Sequence, residues 1–277
     1  MATSLTTPGV YIEEVSLFPP SVAEVATAIP AFTGLTQKAE KDSLTLINIP
    51  TRITSILEFE LYFGGEKELI PGDITIILDE ENDYAVQKIS ISNNAASYLY
   101  NSVRLFFDNG GGACFIISTG LYKNLNGAVE SVSLEGLTNS LQAASMVDDI
   151  TLLVMPDAVL LEENNFYQLQ QLALQQCNTL QDRVAILDLL ENKNSSLHDA
   201  VNNFRQHIGM NNLKYGAAYT PWLYHSFPIP ISFYIFSDYC FKKDGITPID
   251  WNLIISNYQR VFKVLSKSVK DSMIVAD

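Results

Sequence analysis

The chain has 277 residues, of which 47% are hydrophobic and 17% are charged. This is the composition of a globular protein and excludes a chain that is mainly disordered. No apolar stretch approaches the roughly 18 residues that a membrane-spanning helix needs, and residues 1–17 lack the basic start and apolar core of a signal peptide. We therefore expect synthesis as a soluble cytoplasmic protein.

The net charge is −14, from 17 basic and 31 acidic residues. Nucleic acids and anionic membrane surfaces attract clustered Lys and Arg, so the sequence disfavours both as partners. The acidic excess lies in residues 1–190, which hold 8 basic and 24 acidic side chains. Two interpretations fit this uneven charge: unlike surfaces of neighbouring copies attract each other, or the acidic residues form a solvated face that keeps the protein soluble. We favour the second interpretation.

Cysteines and histidines are scattered along the chain. Cys114, Cys177 and Cys240 form no C-x-x-C pair, which predicts reduced, buried thiols of a cytosolic protein. His198 and His207 share a predicted helix but are half a turn out of phase, so they point to opposite sides. We expect no metal site and no cofactor.

Residues 1–21 predict an extended N-terminal arm. A Pro-Gly turn precedes a β-prone stretch and a Pro-Pro pair follows it, so neither a helix nor a central strand fits. An arm of this kind is suited to pairing with the edge of another sheet, and the alternative is a frayed terminus. The candidate inter-subunit residues of the arm are Val10, Tyr11, Ile12, Glu13, Glu14 and Val15.

Residues 22–92 predict mainly strands. Residues 22–35 end in a buried strand, and a β-rich subregion at about 44–92 contains short strand candidates at 44–49 and 74–78. Acidic residues 79–83 predict a hairpin tip, because the Gly and distal Glu of a calcium-binding loop are missing.

From residue 99 onward, helical and strand patterns alternate. Amphipathic helices are predicted at 99–107, 137–147, 166–177 and 197–208, and buried strands at 113–118, 150–155, 184–189 and 215–220. This alternation predicts an α/β fold with a mixed, mostly parallel sheet flanked by helices. Three glycines at 110–112 come after a helix and before a strand, which is the wrong order for a phosphate-binding loop.

Residues 224–277 predict a helical extension of the α/β body at 22–223. Thr247 and Pro248 form a helix start, with Thr as the cap and Pro at the first helical position. One apolar stripe follows at helical spacing. Its residues are Trp251, Ile254, Ile255, Tyr258, Phe262 and Leu265.

Catalytic side chains of an α/β protein would lie just after its strands. Asp157, Asp188 and residues 220–222 occupy such positions, and the two aspartates are candidates for an acid–base pair or a metal site. No nucleophile, zinc or dinucleotide motif supplies a partner for them, and an Asp after a strand more often caps a turn or helix. We therefore assign no catalytic residue and predict that the protein is not an enzyme.

Seven segments, in this order along the chain, resemble the N-terminal part of contractile tail sheath proteins, found in contractile phage tails, extracellular injection systems and type VI secretion relatives. Any one segment is a weak match, whereas seven in the family's order are a strong one. The segments are residues 7–15, 27–34, 59–65, 102–116, 152–158, 182–188 and 215–223.

The resemblance implies a structural protein. Sheath subunits stack as hexameric rings in a helical sheath around an inner tube protein, with baseplate and cap proteins at the ends, and contraction drives the tube into a target. Terminal arms of the family add strands to neighbouring subunits, and residues 10–15 match such an arm. After synthesis in the cytoplasm the protein would become part of a phage-tail-like particle.

The C-terminal domain signals of the family do not occur in residues 224–277. We expect a partial sheath subunit, and the alternative is a short sheath-like cap or baseplate-proximal component. An α/β enzyme using Asp157 or Asp188 is a distant third hypothesis.

Overall fold

A computed structural model describes residues 28–69, 73–79, 85–91, 97–123, 129–191, 196–223, 225–227 and 241–242. Its centre is a six-stranded sheet in which five strands are parallel. The strands, in spatial order, are β10 (Gly216–Tyr219), β9 (Val184–Asp188), β8 (Leu152–Val154), β1 (Pro30–Thr36), β7 (Cys114–Leu121) and the antiparallel edge strand β4 (Thr51–Ile53). The predicted α/β class with a mixed, mostly parallel sheet is confirmed.

Five helices flank this sheet, and three of them begin at a serine whose hydroxyl accepts a hydrogen bond from the first turn. Such capping satisfies an amide that has no partner within the helix. Ser55, Ser133 and Ser196 are these caps, and Ser196 forms a full capping box with Asp199. The helices are α1 (Ile56–Phe63), α2 (Leu99–Asp108), α3 (Leu134–Ala144), α4 (Glu163–Leu180) and α5 (Leu197–His207).

The helices form two layers, one on each face of the sheet. Helices α3, α4 and α5 cover the first face, over a core that includes Leu153, Phe166 and Leu187. Helices α1 and α2 cover part of the second face, over a core that includes Phe32 and Phe59. Strand β1 lies between the two layers, and all seven of its residues are buried.

Two smaller sheets complete the described part. Strands β2 (Glu40–Lys41) and β3 (Leu44–Thr45) form a short hairpin. Strands β5 (Ile74–Asp79) and β6 (Ala85–Ile91) are antiparallel, as expected for strands on either side of a hairpin tip, and β11 (Phe241–Lys242) pairs with β5. The tip itself lies mostly outside the described residues.

Three details differ from the sequence-based expectations. The strand predicted at 44–49 is wrong in extent, because only Leu44–Thr45 is a strand and Ile47 makes a single bridge. Helix α1 was not predicted at all. Strand β11 was not predicted. The predicted helical extension at 224–277, including the stripe beginning at Trp251, lies almost wholly outside the described residues.

Other predictions about the body hold. Helix α2 is followed by a turn at Asn109–Gly110 and then by β7, which is the predicted order of helix, glycine turn and strand. Cys114 and Cys177 are free and buried, as expected. Across the described ranges, no helix is both long enough and apolar enough to cross a bilayer. The candidate arm residues 10–15 lie outside the described residues.

Candidate functional site

The strand order of the main sheet reverses at β1, since the chain passes from β1 to β7 on one side and then to β8 on the other. Ligands of open α/β sheets bind beyond the carboxyl ends of the strands at such a point. Asp157 lies there, in the 3₁₀ turn Pro156–Leu160 that directly follows β8. Of the residues predicted from the sequence, Asp157 therefore lies where a catalytic group would be expected.

The carboxylate of Asp157 accepts hydrogen bonds from three backbone N–H groups. Oδ2 accepts from Leu35 at 3.0 Å, at the end of β1. Oδ1 accepts from Tyr98 at 2.6 Å and from Leu99 at 3.2 Å, where α2 begins. Asp157 thus caps a helix from a distant part of the chain and joins the ends of β1, β8 and α2.

Ionisation of Asp157 is governed by opposing effects. Complete burial raises the pKa of its carboxyl, while the N–H groups of Tyr98, Leu35 and Leu99 and the charge of Lys67 act to lower it. Burial also lowers the pKa of Lys67, against the opposing effect of Asp73 and Asp157. Because the carboxylate has no exposed surface and is held by three amides, it is poorly placed to exchange protons with a substrate.

Gly34 provides the space that this carboxylate occupies. A Cβ at position 34 would lie 2.3 Å from Oδ2 and 3.0 Å from Cγ of Asp157, and 3.1 Å from Cβ of Leu99. None of these atoms is the free end of a flexible side chain. Glycine is therefore required by the close approach of the turn after β8, and of α2, to β1.

Asp188, the second candidate, lies in a different environment at the end of β9. Burial, with a smaller contribution from Glu191, raises the pKa of its carboxyl to about 6. Glu191 in turn accepts a 2.6 Å hydrogen bond from the hydroxyl of Thr220. Within the described part of the chain Asp157 and Asp188 share no hydrogen bond, so the structure does not join them as an acid–base pair.

Residues 220–222, the third candidate position, pack against the end of the sheet. The Thr220–Pro221 peptide is cis. The indole Nε1 of Trp222 donates a 3.0 Å hydrogen bond to the carbonyl of Leu189, and its ring meets that of Tyr98 edge-on at 6.1 Å. Trp222 therefore ties the chain after β10 to the start of α2.

A small cleft lies near Asp157, because its lining residues Lys67 and Tyr122 interact electrostatically with that carboxyl group. It has a volume of about 90 Å³ and is lined in part by Lys67, Asp73, Tyr122 and Lys123. Sites for small-molecule ligands usually measure roughly 300 Å³ or more, so the cleft is too small for most of them. Sequence reasoning missed Lys67 and Tyr122, which come from loops whose position no periodic pattern reveals.

Neither metal-site geometry nor similarity to known proteins identifies a chemical function. Among the residues that the structure describes, no group of three or more His, Cys, Asp or Glu side chains could hold a metal ion. Comparison with models of protein families and with curated proteins gives no match.

Replacing Asp157 by Ala should strongly destabilise the body. The variant leaves three amides without their acceptor, and we expect a loss of about 3–5 kcal/mol in the free energy of unfolding, measured by urea denaturation. Asp157→Asn should cost less, because its amide oxygen still accepts. Asp148→Ala removes an exposed carboxylate and should change stability by less than about 0.5 kcal/mol. Equal stabilities of the two Ala variants would contradict the capping role.

Gly34→Ala should destabilise the body by about 2–3 kcal/mol, because the new methyl group overlaps the Asp157 carboxylate. Gly112→Ala is the matched control, since no atom lies within 4 Å of its added Cβ. The double variant Gly34→Ala/Asp157→Ala should lose less stability than the sum of the single variants, as removing the carboxylate frees the space. Strict additivity would show that the two residues are not coupled.

Asp188→Asn should stabilise the protein in a pH-dependent way. A carboxyl whose pKa is raised in the folded state destabilises that state as pH rises from the unfolded value near 4 through about 6. The gain should therefore be larger at pH 7.5 than at pH 5 and at most about 3 kcal/mol. Urea denaturation at both pH values measures it, with exposed Asp148→Asn as the control for charge. A gain that is the same at both pH values would refute this assignment.

Proposed function

We propose that this chain is a structural subunit of the contractile sheath of a phage-tail-like injection machine. It assembles with copies of itself around an inner tube, without catalysis and without a cofactor. Baseplate and cap proteins are its further partners in the particle. The proposal depends first on the seven segments that resemble sheath proteins in order.

One structural observation supports reading those segments as a set. Two of them, residues 27–34 and 152–158, meet at Gly34, where an added Cβ would lie 2.3 Å from Oδ2 of Asp157. Residues 102–116 supply most of α2 and the start of β7, which pairs with β1. The segments at 182–188 and 215–223 supply β9 and β10 of the same sheet.

The environment of Asp157 favours a structural role over an enzymatic one. Its carboxylate is fully buried and occupied by three amide groups, which explains its burial without any substrate. An acid–base catalyst instead needs a hydrogen-bonding path to the substrate. The surroundings of Asp157 are therefore those of a group that holds a rigid structural subunit together.

Assembly should depend on the arm. We expect the complete reading frame, expressed together with the neighbouring genes, to give rings or tubes of regular repeat in electron micrographs. Deleting residues 10–15 should abolish this order while leaving the body folded, because strands added to neighbours supply main-chain hydrogen bonds between subunits. Deleting residues 2–5 is the control and should leave assembly intact.

Each outcome of that experiment decides one part of the proposal. Unchanged assembly without residues 10–15 would refute the arm assignment alone. Absence of any ordered polymer from the intact genes would count against a sheath subunit. A copy number of one ring at a particle end, measured in purified particles, would instead identify a cap or baseplate-proximal component.

A further inference from the structure

Helix α2 ends in a dipeptide that is chemically reactive. Asn109 is the C-cap residue, Gly110 follows it, and both are exposed. The side-chain amide of an asparagine is attacked most readily by the backbone nitrogen of a following glycine, which has no Cβ to hinder the approach. Asparagine is for this reason among the thermolabile residues of proteins. Asn109 is therefore a candidate site of deamidation.

The reaction needs only this dipeptide and water. The nitrogen of Gly110 forms a bond to Cγ of Asn109, the bond from Cγ to Nδ2 breaks, and Nδ2 leaves as ammonia with the proton that Gly110 loses. Water then opens the succinimide ring at either of its carbonyl groups. The product is aspartate or isoaspartate at position 109, and no atom is oxidised or reduced.

The backbone at the end of α2 is closed by a Schellman motif. The N–H of Gly110 donates to the carbonyl of Phe107 at 3.0 Å, and that of Gly111 donates to the carbonyl of Phe106 at 2.9 Å. Gly110 has the positive φ, 84°, that this motif requires. We call residues 105–111 the α2 terminus. In its closed form the attacking nitrogen of Gly110 is engaged in a hydrogen bond.

The side chain of Asn109 is also held away from that nitrogen. Its Nδ2 donates a 2.7 Å hydrogen bond to the carbonyl of Leu105, one turn back along the helix. The ψ of 17° at Asn109 places the nitrogen of Gly110 beside the backbone nitrogen of Asn109 and away from its Cβ. Ring closure requires the opposite arrangement, with the nitrogen of Gly110 facing Cγ. The α2 terminus must therefore open before the reaction can occur.

We propose that Asn109 is a deamidation site that the closed α2 terminus keeps inactive, so that the modification marks molecules in which this terminus has opened. Helix ends open locally more often than the parts of a helix that are packed in the core. The start of α2 stays fixed, since Asp157 accepts hydrogen bonds from the N–H groups of Tyr98 and Leu99. The inference concerns α2 alone and does not depend on the sheath proposal.

Deamidation opposes the closing of the α2 terminus. A carboxylate at position 109 cannot donate a hydrogen bond, so the carbonyl of Leu105 loses its bond from Nδ2. The new negative charge lies next to Asp108 at the C-terminus of a helix, where the helix dipole disfavours an anion. Isoaspartate also adds a carbon to the backbone, which disrupts the spacing of the Schellman hydrogen bonds. Modified molecules therefore stay open at this end.

Site-resolved mass spectrometry of the purified full chain tests the proposal. The chain is incubated at mildly alkaline pH, either folded or in concentrated urea, and the product at position 109 is quantified over time. The second Asn-Gly pair of the chain, Asn126–Gly127, gives the rate of an unprotected pair in the urea sample. We expect Asn109 to react in urea about as fast as Asn126, and at least about tenfold more slowly in the folded chain.

Two glycine variants test whether the α2 terminus is what protects Asn109. A Cβ at Gly111 would lie 2.5 Å from ring atoms of Phe106, whereas no atom lies within 4 Å of a Cβ at Gly112. Gly111→Ala should therefore disturb the terminus and raise the rate in the folded chain severalfold, whereas the matched control Gly112→Ala should leave it unchanged. Urea below the unfolding transition should hardly change the rate of the unsubstituted chain, because opening one turn exposes little surface.

Four results would overturn the proposal. Equal rates at position 109 in the folded and the unfolded chain would show that the α2 terminus gives no protection. Failure of Asn109 to react in urea while Asn126 reacts would show that it is not a deamidation site. Equal rates in the two folded glycine variants would assign the protection to another part of the protein. A steep rise in rate at low urea would show that the reaction follows unfolding of the whole body.

Discussion

The body depends on the carboxylate of Asp157 and the three amides that surround it. Amides in the first turn of a helix have no acceptor within the helix. The amide of Leu35 also needs an acceptor, because the pairing of β1 with β7 shifts register between Gly34 and Leu35. One buried carboxylate satisfies both needs with charge-assisted hydrogen bonds, which offset the free energy lost when it leaves water. Gly34 makes this arrangement possible.

In the part of the chain that the structure describes, α3, α4 and α5 cover one sheet face and α1 and α2 cover the other, and this division follows from the order of the strands. Connections between parallel strands are right-handed, so successive steps in one direction across a sheet place their helices on one face. The steps from β7 to β8, β9 and β10 all run in the same direction, which puts α3, α4 and α5 together. Among the described connections, the step toward β7 runs in the opposite direction and places α1 and α2 on the second face.

Sequence patterns predicted the parallel part of the body well, because helices and continuous apolar strands alternate there at regular spacing. Helix α1 was not predicted, for a physical reason. Apolar residues occupy most of its positions, and only Phe59 and Phe63, one turn apart, are fully buried. The available signal was Ser55 followed three residues later by Glu58, a capping pattern.

The candidate site was predictable only in part. An aspartate after a strand predicts a cap, but the identity of its donors depends on the tertiary fold. Leu35 and Tyr98 lie 122 and 59 residues from Asp157 in sequence, and no local pattern joins positions so far apart. The raised pKa of Asp188 was likewise not predictable, because it arises from burial in the folded protein, which a single sequence does not reveal.

Strand β1 has a further consequence for the order of folding. It is the first strand in the part of the chain that the structure describes, all of it is buried, and its neighbours β7 and β8 begin at Cys114 and Leu152. Contacts between distant parts of a chain form slowly, and unpaired apolar strands are prone to aggregate before they form. During synthesis β1 must therefore wait, exposed or shielded by a chaperone, until β7 and β8, which end at Leu121 and Val154, have left the ribosome.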